Sequence, residues 1–147
     1  MSFQFRFEKI LSMKEKEKES ALNEMNVFRK LKETAEKQLL DMIDKKESYL
    51  RDYERLMKNT LRITDIQESE QYIHFLNKQI EKLRKKVMEL TKEFQVKNHL
   101  LLAKNQEEKM WSSWREKSFA EYTDKINREE QNLLDEMAVI RYFHHKN

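Results

Sequence analysis

The sequence has no glycine, no proline and no cysteine in 147 residues. Glycine and proline punctuate tight turns and sheet edges, so their absence argues against a fold with many short reversals. Without cysteine no disulfide can form, which fits a reducing compartment. Long hydrophobic runs are also missing. None approaches the roughly 20 apolar residues of a membrane-spanning helix. Arg6, Glu8 and Lys9 are not followed by the apolar core of a secretory signal, so the expected location is the cytoplasm.

Charge of one sign is missing as well. Residues 1–60 carry 14 basic and 12 acidic side chains, and the formal net charge of the chain is +3. Interspersed charges of this kind exclude a nucleic-acid arm or an acidic tail. The densest basic stretch is Lys78–Lys97, with seven basic and three acidic residues. It reads as a solvated helix face, with an anion-binding stripe as the alternative.

Catalytic chemistry has little support. His74 and His99 are isolated, and His144 and His145 are adjacent and so point to different sides of a helix. There is no HExxH, no paired cysteine and no glycine-rich phosphate loop. No enzyme, metal or cofactor is expected.

What is present is helical. Charged residues make up 39 % of the chain, yet aromatic residues at 10 % argue against disorder. Steps of four and three from Phe7 give Phe7, Leu11, Lys14, Lys18, Ala21, Met25, Phe28, Lys32, Ala35, Leu39, Met42, Lys46, Tyr49, Tyr53 and Leu56. Eleven of these fifteen are apolar, which is a coiled-coil seam weakened by lysines. A second seam has no exceptions: Ile73, Leu76, Ile80, Leu83, Val87, Leu90 and Phe94.

Between the seams, Asn59, Thr60 and Thr64 are poor helix formers, and Thr64-Asp65-Ile66-Gln67 matches a capping box. The expected fold is therefore all-α: one long two-stranded antiparallel coiled-coil hairpin, as a single domain. Its first helix is expected over about 3–58, its turn over about 59–64 and its second helix over about 65–143. The helices would be about 80 and 117 Å long. A reversal near 61–62 sets residue i opposite about 123 − i, so the second helix overhangs beyond about residue 120.

The overhang carries its own stripe: Phe119, Tyr122, Ile126, Leu133, Met137, Ile140 and Phe143. It is offset by one residue from the Ile73–Phe94 seam. A phase break within 103–118 would let the helix re-aim its apolar face toward an external partner. A homodimer, or a fold-back of the first residues, is the alternative. Trp111 and Trp114 are expected to pack on Phe3–Phe7, as structure rather than as a binding site. Tyr49, Tyr53, Tyr72 and Phe75 lie near the closed end, either fastening it or forming a recognition patch.

Both ends of the chain resemble a family. Phe3-Gln4-Phe5-Arg6-Phe7-Glu8-Lys9-Ile10-Leu11 resembles the opening of the flagellar FliJ family, followed there too by repeated Lys and Glu. Leu134-Asp135-Glu136-Met137-Ala138-Val139-Ile140-Arg141 resembles that family's L-D-E-x-A-x-x-R motif, and Gln71–Leu83 the start of its second helix. The resemblance implies a non-catalytic stalk and chaperone component of the flagellar type III export apparatus, serving flagellum biogenesis and motility. It implies three partners: the hexameric export ATPase, the cytoplasmic domain of the export gate protein FlhA, and flagellar export chaperones. It also implies peripheral association with the inner face of the cell membrane at the flagellar base. By position, Phe3, Phe5, Arg6, Phe7, Phe119, Tyr122, Leu133, Met137 and Arg141 would face the ATPase ring. Gln38, Met42, Tyr49, Tyr72 and Leu76 would face the gate, with Lys45 and Gln79 on the same face. The competing readings are a structural coiled coil that self-associates, and a stalk subunit of another ATPase.

Overall fold

A computed structural model describes residues 2–59 and 62–146 of the chain. Helix α1 spans Glu8–Met57 and helix α2 spans Ile63–Lys146. No strand occurs among the described residues. The chain divides into two compact units, one formed by Ser20–Leu101 and the other by Met1–Glu19 with Leu102–Asn147.

In the first unit the two helices are antiparallel neighbours along an apolar seam. The rings of Tyr49 and Tyr72 meet 4.6 Å apart. Further along, Lys97 reaches Glu24 at 3.1 Å. Both pairs fit the expected pairing of residue i with about 123 − i. The stepped positions Ala21 to Tyr53 on α1 and Ile73 to Phe94 on α2 are all buried or half-buried. Leu76 is fully buried, and Ala21, Ala35 and Ile80 are nearly so. Each fully buried leucine stabilises the pairing by about 1.5–3 kcal/mol. Leu56 is 53 % exposed, so the α1 seam stops one step before its expected end. The seam lysines fit because their stems are apolar. Lys32 lays its ammonium 5.2 Å from the Phe94 ring centroid, and Lys97 lies 5.8 Å from that of Phe28.

The end of α1 is marked by Asn59 N–H donating to Leu56 C=O. Thr60 and Leu61, within the expected turn, lie outside the described residues. At the start of α2, Arg62 C=O accepts from both Asp65 and Ile66 N–H at 3.1 and 3.2 Å. Arg62 therefore holds the cap position, and Thr64 is already inside the first turn. The expected capping box is corrected: the helix begins at Ile63, so Gln67 stands five residues past the cap, where a capping box needs three.

In the second unit α1 begins at Glu8, not near residue 3. Residues 2–5 are irregular and 6–7 form a turn, with Glu8 N–H donating to Phe5 C=O at 3.2 Å. Glu8 in the first turn complements the positive end of the helix dipole. The alternating phenylalanines belong to this strap ahead of the helix. Phe5 is 9 % exposed and Leu11 4 %, and they are the buried hydrophobic side chains of the unit.

Candidate interaction surfaces

In the unit holding the chain ends, the strap lies against α2. Phe3 packs edge-on to Phe119 at 5.3 Å and beside Tyr122 at 5.4 Å. Phe7 meets Trp111 at 5.6 Å and Trp114 at 5.2 Å, and the two indoles stack on each other. The expected meeting of tryptophans and phenylalanines is observed. Two cations seal it: Arg6 lies over Phe7, and Arg115 lies over Phe3 while donating to Glu8 at 2.9 Å. An extended strap covers more length per residue than a helix does. It therefore covers α2 as far as Tyr122. Among the residues whose burial is described, Ile126 is the last half-buried one, and every residue from Asn127 to His145 is exposed.

Between the aromatic cluster and Glu19 the pairing turns ionic. Lys14 lies 3.5 Å from Glu17 and 3.1 Å from Glu107, and Lys104 lies 3.2 Å from Glu17 and 3.7 Å from Glu107. These four side chains close a ring in which Lys-x-x-Glu on α1 faces Lys-x-x-Glu on α2. Lys18 adds a contact to Glu108 at 3.6 Å. The hydrogen bond to Glu107 raises the Lys14 pKa above its ordinary value, against a smaller opposing effect of burial. The hydrogen bond from Lys104 lowers that of Glu17, again against a smaller effect of burial. Single-sequence reading took the seam lysines as weak points and missed this ring. The available signal was their spacing, since the antiparallel pairing sets 14 opposite 107 and 17 opposite 104.

The phase break expected within 103–118 is not seen. Lys104, Glu108, Trp111, Ser118 and Tyr122 remain half-buried at multiples of the same four-and-three spacing. The packed face persists while its side chains become charged or polar. Phe119 lies at the edge of this face and is 51 % exposed despite its contact with Phe3.

The remaining residues expected to meet a ring are accounted for as follows. Phe3 and Phe7 are half-buried in the cluster, Phe5 is buried, and Arg6 is exposed. Leu133 is 54 % exposed, Met137 49 % and Arg141 is also exposed. Leu134, Val139, Ile140, Tyr142 and Phe143 are equally open, so residues 133–143 carry exposed apolar side chains around the helix, with Asp135, Glu136 and Arg141 between them.

In the Ser20–Leu101 unit, two of the expected gate-facing residues, Tyr49 and Tyr72, meet across the helices. The Tyr49 hydroxyl donates to Ser69 Oγ at 3.0 Å, and Phe75 stacks beside Tyr72 at 6.4 Å. Gln38 is exposed; Met42, Tyr49 and Tyr72 are half-buried. Leu76 is different: it is fully buried, so it supports this face from beneath instead of lining it. Phe75, at 52 % exposure, is the open apolar side chain beside it.

Among the described residues, no three His, Cys, Asp or Glu side chains are grouped to hold a metal ion. No described helix is long and apolar enough to cross a membrane. These features define an all-α coiled-coil protein with exposed helix faces and aromatic clusters. The family model described as "Flagellar FliJ protein" matches residues 3–147, and the chain belongs to that family. A curated relative, the "Flagellar FliJ protein" of Bacillus subtilis (strain 168), is 26 % identical over 142 residues, covering 97 % of each chain. No solved structure matches the chain. Family membership points to a role in flagellar protein export, in a family that is non-enzymatic.

Proposed function

We propose that the protein is a non-catalytic coiled-coil stalk of the flagellar type III export apparatus. In this reading it binds the hexameric export ATPase through the chain-end unit and the FlhA gate domain through the Tyr49–Tyr72 face. The observation that carries it is the open stretch of α2 from Asn127 to His145. Leu133, Met137 and Ile140 form one stripe there, with Leu134, Val139 and Phe143 on the other sides. A helix with exposed apolar side chains on several sides suits enclosure, as in the opening of a ring, better than contact with a flat surface. Arg141, within this stretch, is placed to pair with an acidic group of the ring.

Within the strap, Phe3, Phe5 and Phe7 hold the root of that stretch, and Arg6 is the member free to touch the ATPase. On the gate side, Tyr72, Tyr49, Met42 and Gln38 make the contact, and Leu76 keeps Tyr72 in place from below. A protein that touches ring and gate biases the states of each by its different contacts with them. Such contacts would assist the handling of export chaperones and hold the protein peripherally at the inner face of the membrane.

A pull-down with the export ATPase and the gate domain tests this reading. Met137→Asp is expected to lose the ATPase and keep the gate, and Tyr72→Ala the reverse. Equal loss of both partners by both variants would point to misfolding and refute the assignment. A stable, long dimer in sedimentation, with neither partner bound, would favour the self-associating coiled coil.

A further inference from the structure

The structure separates the basic stretch Lys78–Lys97 into two kinds of cation. Lys97 is turned into the seam, where it pairs with Glu24 and lies over Phe28. Lys78, Lys82, Arg84, Lys85, Lys86 and Lys92 are all exposed. None of the six has a carboxylate within ion-pair distance among the described residues. From Phe75 to Lys92 these six basic side chains face only two acidic ones, Glu81 and Glu89, while the whole chain carries +3. The positive surplus of the protein is therefore concentrated on about five turns of one helix.

The arrangement is directional. Lys78, Lys82, Lys85 and Lys92 stand at i, i+4, i+7 and i+14, which is one face of α2. Leu76, Ile80, Leu83 and Val87, on the seam, occupy the opposite face. The lysines thus form a line about 21 Å long on the outside of the helix pair. Met88 and Val96, 58 % and 61 % exposed, offer apolar side chains beside and along it.

We propose that this outer face of α2 docks on an anionic lipid surface. Five of the six cations are lysines, which act as compact point charges on flexible stems, whereas arginine would supply forked recognition of individual phosphates. Phe75, exposed beside Lys78, reaches only the start of the line, so successive nucleic-acid bases would find no row of aromatic rings along it. It also lacks the deep pocket and buried anchor of a protein hot spot. A straight row of exposed lysines flanked by shallow apolar side chains matches the charged plane and interfacial layer of a bilayer. This contact deepens the peripheral membrane association proposed above and rests on that part of it, but it requires neither the ATPase nor the gate, so vesicle binding and partner binding are tested apart.

Co-sedimentation of the full chain with vesicles tests it, comparing phosphatidylcholine with added phosphatidylglycerol against phosphatidylcholine alone. Binding is expected only to the anionic vesicles and is expected to fade at high salt. Each lysine at the surface contributes about fivefold to the binding constant. The variant with Lys78, Lys82, Lys85 and Lys92 all changed to Gln is then expected to bind weaker by a factor on the order of several hundred. A charge-matched control with Lys30, Lys37, Lys45 and Arg51 changed to Gln on α1 should lose far less. Circular dichroism on both variants confirms that the helices remain. Three results would overturn the proposal: no binding to anionic vesicles, equal loss in both variants, or tighter retention on duplex DNA than on the vesicles.

Discussion

The stretch around Leu76 and Ile80 and the stretch around Lys14 and Lys104 share the same four-and-three spacing and fill it with opposite chemistry. Leu76 is 0 % exposed and Ile80 6 %. Lys14, Glu17, Lys104 and Glu107 instead form a charged ring with side chains 22 % to 40 % exposed. Spacing decides which face is covered, and side-chain chemistry decides what the cover is worth. An apolar layer supplies stability, whereas a polar layer restricts orientation and register. Lys-x-x-Glu against Lys-x-x-Glu is satisfied only by antiparallel helices in this alignment. A parallel pairing would set like charges together, and a slip of one heptad would set Leu100 or Trp114 against Lys14. The aromatic cluster of Phe3, Phe7, Trp111 and Trp114 then covers the end of a stretch that has few buried apolar groups of its own.

The strongest break of this contrast is Leu76→Ala, expected to cost about 2–5 kcal/mol in thermal or denaturant unfolding. That loss should be nearly the same at low and high salt, because no charge is involved. Glu17→Lys comes next. It should lower the melting temperature at low salt, and its effect should shrink as salt is added, since exposed pairs are screened.

Acid should sharpen the contrast further. Glu17 has its pKa lowered by its hydrogen bond from Lys104. Its contribution is therefore present above the ordinary glutamate value and is lost as pH falls through its lowered one. Lys14 is raised, so its contribution is present below its ordinary value and is lost only as strong alkali is reached. Both tryptophans lie in the aromatic cluster next to the ring, so their emission should shift on acidification before far-UV helicity is lost. The smallest effect is expected for Thr64→Ala. A true N-cap residue would cost about 1 kcal/mol, and Thr64, inside the first turn, should cost less than half of that.

Spacing made the fold legible. The α1 seam was readable from Phe7 through its lysines, and nearly every stepped position is covered. The meeting of Phe7 with Trp111 and Trp114 followed from the same pairing rule. The ionic ring was not legible, because a lysine at a seam position looks the same whether or not two glutamates on both helices reach it. The strap was misread as helix, since Phe3 and Phe5 carry a period of two while the Lys and Glu beyond them favour helix at once. The cap was misplaced because the first intrahelical bonds, from Asp65 and Ile66 N–H, reach the Arg62 carbonyl, a backbone contact that no side-chain motif records. For the candidate surfaces, burial was not legible from position along the chain. Leu76 and Phe75 are neighbours, yet one is sealed and the other open.

The central claim is that the open end of α2 engages the export ATPase. Its most direct test is the ATPase's turnover, measured with and without the full chain. The account predicts that the wild-type chain raises turnover and that Met137→Asp, still helical, leaves it at the basal rate. Unchanged turnover with the wild type, or equal stimulation by both, would contradict it.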